Sequence, residues 1–97
     1  MANFKTVTIE KGEHFHDLLS IKDDGLIEYC ETFFSRDGDG DRDDYIKIKL
    51  EDYSKKITFD ELEEYLKNLN TKNRMEELRV LLAQKDVKFQ DDFWMSF

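Results

Sequence analysis

Ninety-seven residues set the size of one domain, and eight Phe, four Tyr and one Trp supply enough large apolar surface for a single core. A formal net charge of −8 disfavours nucleic acid and anionic membranes as direct ligands, because phosphate recognition relies on Lys and Arg. A lone cysteine, Cys30, excludes an internal disulfide and a cysteine-based zinc site, and implies a reduced, cytoplasmic setting.

Phe4 to Glu10 is β-branched and alternates, which predicts a strand ending before Gly12. The N-terminus carries no apolar segment of signal-peptide type, and no stretch approaches the roughly 18 apolar residues of a membrane span. In 13–20, Phe15, Leu18 and Leu19 have the i, i+3, i+4 spacing of a short helix. From Leu26 to Ser35, Leu26, Ile27, Tyr29, Cys30, Phe33 and Phe34 fall within an arc of roughly 160° at helical spacing. That favours a helix there; a strand with a hairpin through the next loop is the alternative.

Asp37 to Asp44 has no apolar residue and two glycines, which predicts a loop. Tyr45 to Leu50 alternates cleanly, with Ile46, Ile48 and Leu50 inward and Lys47 and Lys49 toward water, as on an exposed face or an edge. Thr58 and Glu61 have the spacing of a capping box. The helix that follows buries Phe59, Leu62, Tyr65, Leu66 and Leu69 and wets Asp60, Glu61 and Glu64, until Asn70-Thr71 breaks it. A second helix from about Lys72 to Lys85 turns Met75, Leu78, Leu81 and Leu82 inward. The short connection makes the two an αα-hairpin. Val87 to Phe97 is an aromatic tail, either a final strand completing the core or a docking segment, with Asp91 and Asp92 drawing part of it to the surface. The expected fold is α+β: one domain over 1–97, with a small antiparallel or mixed sheet packed on two or three helices, including a C-terminal αα-hairpin.

The acidity lies in the middle third, with net charges of −3, −5 and zero over residues 1–36, 37–69 and 70–97. Asp37, Asp39 and Asp41 have the spacing that opens an EF-hand calcium loop, but Arg42, Asp44 and Ile48 stand where that loop requires Gly, an apolar anchor and a closing Glu. His14 and His16 would share a face on a strand but not on the helix expected here. Neither pattern earns a metal assignment, and no cofactor is expected. No nucleophile, phosphate-cradling or zinc-hydrolase motif is present, and Cys30 sits among apolar neighbours, so the expectation is a protein that binds rather than catalyses.

Five aspartates in eight residues repel one another, a burden that presenting carboxylates in place of nucleic-acid phosphates would explain. The expected function is therefore an acidic inhibitor, of phage anti-defence or antitoxin and immunity type, that blocks a basic nucleic-acid-handling protein. Its candidate contacts are Asp37, Asp39, Asp41, Asp43, Asp44, Asp60, Glu61 and Glu64. The alternatives are a calcium-responsive domain using the Asp37–Asp44 loop, and an accessory subunit that docks through its aromatic tail.

Overall fold

The structure, a computed structural model, describes residues 5–34, 41–69 and 73–95. Among them are five strands and three helices. The strands are β1 (Lys5–Lys11), β2 (Phe15–Ile21), β3 (Ile27–Phe34), β4 (Asp41–Ile48) and β5 (Gln90–Met95), and the helices are α1 (Leu50–Tyr53), α2 (Phe59–Asn68) and α3 (Arg74–Gln84). The fold is α+β, as expected. The strands form one antiparallel sheet in sequence order, β1-β2-β3-β4-β5, with all three helices inserted between β4 and β5. No helix among the described residues is long and apolar enough to cross a membrane.

Antiparallel pairing places directly opposed residues on one face of the sheet. Ile21, Ile27 and Ile48 form one such row, and Leu19, Tyr29 and Ile46 the next. The helices cover both rows with Phe59, Leu62, Leu66, Met75, Leu78 and Leu82, and Val87 closes the core behind α3. Full burial of a Leu or Ile side chain stabilises by about 1.5–3 kcal/mol, so these two rows hold the helical layer in place. On the opposite face Leu18, Cys30 and Tyr45 form a cross-strand row that none of the described helices covers, and none of the three is buried.

That bare-face row explains two corrections. Segments 13–20 and 26–35 carry apolar residues on both faces, so their strand periodicity reads as helical; the structure makes them β2 and β3. Each is flanked by a strand on both sides, and the hydrogen bonds of two neighbours outweigh a weak local preference. The turn between them rests on Gly25 at φ 87, where a side chain would meet Leu50 at 2.9 Å.

A third correction concerns the acidic segment. β4 starts at Asp41, within the expected loop, because Asp41 to Asp44 pair with Phe34 to Glu31 on one side and Arg42 to Asp44 pair with Met95 to Phe93 on the other. The strand is interior and not an edge, and Leu50 leaves it to open α1, half exposed. The final correction is at the end of the chain. The two expected helices form, with the expected residues inward, but the chain closes on β5 and not on a helical hairpin. The Asn70-Thr71 break lies outside the described residues. At the start of α2 the Thr58 hydroxyl accepts the Glu61 N–H at 3.2 Å, as the capping box requires, while the Glu61 carboxylate meets that same hydroxyl and not an amide.

Candidate functional site

The helical layer stops short of one end of the sheet. Beyond the Leu19-Tyr29-Ile46 row, the next set of opposed residues on the helix face is Glu10, Asp17, Glu31 and Asp44, one carboxylate from each of four adjacent strands, and Phe93 of β5 completes it. Past it stand Phe15, Phe33 and Arg42. All of these except Phe93, together with Arg74, line an open depression of about 780 Å³.

Like charges directly opposed in a sheet destabilise it, so four in a line need compensation. Two guanidiniums and a phenol supply part of it. Arg74, the first residue of α3 and only 8% exposed, pairs with Glu10 and stands 3.6 Å from Asp17. Its other nitrogens close the end of α2, with Nε donating to the Leu66 carbonyl at 2.9 Å and Nη2 to that of Leu69 at 3.4 Å. The Tyr29 hydroxyl donates to Glu31 at 2.7 Å, and Arg42 Nε to Asp44 at 3.1 Å.

The compensation is incomplete. Burial, reinforced by the charges of Glu31 and Glu10 and opposed by Arg74, pushes the Asp17 carboxyl up to about 6. Burial also raises Glu31; the Tyr29 hydroxyl and the arginines offset this only in part, and Asp44 adds to it. The row carries excess negative charge beside aromatic rings, an arrangement suited to the stem and head of a lysine or arginine side chain.

The residues anticipated from sequence do not gather at this end. Asp44 belongs to the row. Asp41 and Asp43 neighbour it in sequence but point to the bare face, where Asp43 accepts the Tyr45 hydroxyl at 3.1 Å and stands opposite Trp94. Asp60, Glu61 and Glu64 lie on the exposed side of α2, which packs near β1, and Lys5 reaches Asp60 at 4.0 Å. Asp37 and Asp39 lie outside the described residues. The structure thus joins Asp44 to three carboxylates that composition does not single out: Glu10, Asp17 and Glu31. Reading β2 and β3 as strands is the signal that would have exposed them, since Asp17 and Glu31 then fall at inward positions.

Aromatic side chains collect at the same end. Phe33, Phe34, Phe93 and Trp94 are 58%, 40%, 64% and 53% exposed, and β4, with Asp41 to Asp44, runs between the two pairs. Of the tail, Val87 and Phe89 pack on the core while Phe93 and Trp94 stay exposed. Of the two histidines, His16 bonds Thr8 at 3.2 Å on the bare face, and β2 turns Asp17 to the other face. Among the described residues no group of three or more His, Cys, Asp or Glu is arranged to hold a metal ion. Burial raises the Cys30 thiol on the bare face, the opposite of an activated thiolate. No protein-family model matches the chain, and neither a curated protein nor a solved structure gives a match.

Proposed function

We propose that this domain is a non-enzymatic inhibitor that binds a protein with a basic surface, taking lysine or arginine side chains into the acidic end of its sheet. The observation that carries this reading is the in-register row Glu10, Asp17, Glu31 and Asp44. A line of opposed carboxylates costs the free fold stability, and partner cations relieve that cost on binding. Phe15 and Phe33 flank the row as apolar walls, and Asp41 and Asp43 extend the negative field around β4. A protein that handles nucleic acid presents such basic surface, and filling it with carboxylates excludes the natural ligand.

The test is recovery of partners by the tagged protein at low and high salt, with wild type beside the Glu31→Gln/Asp44→Asn pair. Both positions are partly exposed, so the fold survives neutralisation. A basic nucleic-acid-binding protein recovered by wild type at low salt, and lost with either the variant or added salt, supports the reading. Equal recovery by the variant removes it.

The exposed Phe93 and Trp94 favour a second reading, an accessory subunit held through the β5 edge. Under it, Trp94→Ala abolishes association, salt changes little, and the carboxylate pair is dispensable.

A further inference from the structure

The two edges of the sheet are unlike. β1 carries lysines at both ends, Lys5 and Lys11, and a register shift between Thr8 and Glu10, devices that discourage another strand from pairing. β5 has none of these. It is unbroken in register with β4, lacks lysine, and exposes Phe93 on the helix face and Trp94 on the bare face. Its two carboxylates are already answered within the chain, Asp91 by Arg79 at 3.0 Å and Asp92 by Lys47 at 3.4 Å. The Phe93 N–H donates to the side chain of Asp92 at 2.9 Å, a local acceptor that an incoming carbonyl can replace.

We propose that β5 pairs antiparallel with β5 of a second copy, about a two-fold axis through Phe93 and normal to the sheet. Such an axis keeps equivalent faces on the same side, so it must lie on a residue of the strand. Centred on Asp91 or Asp92, it sets a carboxylate against its own copy. Centred on Phe93, it sets Phe93 against Phe93 and Asp92 against Trp94, with no like charges opposed. Pairing of this kind consumes the open edge of both copies and leaves only the blunted β1 edges outside, so it closes at two chains.

The axis has a consequence for the acidic row. Phe93 is the fifth member of that row, so the two-fold makes the rows of both copies collinear across a ten-stranded sheet. Four carboxylates from each copy then form one band, with strands spaced roughly 4.8 Å apart and the Phe93 pair at its centre. The pairing rests on the edge and not on the basic partner; it lengthens the surface that such a partner would meet.

Sedimentation equilibrium on the full chain alone, over a concentration series, tests it. The expected result is a rise from 11.7 kDa to twice that mass, shifted to lower protein concentration by added salt because each chain carries −8. Phe93→Lys and Phe93→Glu each return the mass to that of one chain, and mixing them restores the doubled mass. A cysteine at the axis gives a readout independent of the charge variants: in a Cys30→Ala background, Phe93→Cys cross-links two chains on oxidation, while Val80→Cys, on α3, does not. One-chain mass at every soluble concentration, undiminished dimer in Phe93→Lys, or no cross-link at position 93 overturns the proposal. None of these outcomes bears on whether a basic partner binds.

Discussion

The two ends of the sheet are built from the same strands and obey opposite rules. At the covered end, inward positions of β2, β3 and β4 hold Leu19, Tyr29 and Ile46, all fully buried. One pleat further along, the same strands hold Asp17, Glu31 and Asp44. The register of β2, β3 and β4 runs unbroken between the two rows. What changes is the layer above them: leucines of α2 and α3 over the first, and over the second, among the described residues, Arg74 at the start of α3. The covered end shows what holds the domain together, and the bare end is a surface kept at some expense to that stability.

The contrast can be broken most forcefully at Leu66, which is fully buried beneath the sheet. Leu66→Ala is expected to cost about 4 kcal/mol in urea unfolding, near the upper part of the range for such truncations. A cost below about 1 kcal/mol would mean that the helical layer is not what secures the sheet. Arg74 joins the two ends. Arg74→Met strips Glu10 and Asp17 of their cation and removes a donor from the Leu66 and Leu69 carbonyls, at a cost of about 3 kcal/mol by the same measurement. A neutral result would make the two ends independent.

Acidity sharpens the comparison. The Asp17 carboxyl is held near 6 against an ordinary 3.8, so the folded state takes up its proton before the unfolded state does. The contribution of Asp17 to stability is therefore fully present below about pH 4 and is lost as pH rises through about 6. Asp17→Asn removes this dependence. Between pH 4 and pH 7.5 the stability difference between wild type and variant should change by about 2 to 3 kcal/mol, read by denaturant titration at each pH. Complexes with a basic partner should respond in the opposite sense, weakening from pH 7.5 to pH 5 as the row loses negative charge. The smallest effect belongs to the edge: Trp94→Ala should shift stability by less than about 0.5 kcal/mol, because its ring stands outside the core. If that variant unfolds, the ring is core and β5 is not a free edge.

Much of the covered end was legible in the sequence. α2 and α3 each bury one stripe and wet the other, so Phe59, Leu62, Leu66, Met75, Leu78 and Leu82 announce themselves by spacing. β1 and the Ile46-Ile48 half of β4 alternate for the same reason. β2 and β3 were obscured by Leu18 and Cys30, apolar residues on the face opposite the described helices. The acidic row was invisible for a different reason. Glu10, Asp17, Glu31 and Asp44 are spread over four strands, and only the register of three strand pairings brings them into line. Charge density along the chain pointed to Asp37–Asp44, whereas charge density in space is set by hairpin register, which composition does not encode.

The order of the strands also sets a timetable. Each of the first three pairings joins strands adjacent in the chain, so each closes over a short loop. The fourth joins β4 to β5 across all three helices and carries the largest loop-closure cost of the set. β5 also follows the other four described strands in the chain, so a ribosome reaches it after them. A growing chain therefore assembles its meander and helices first, with the outer side of β4 briefly unsatisfied, and acquires its aromatic edge as the closing act of folding.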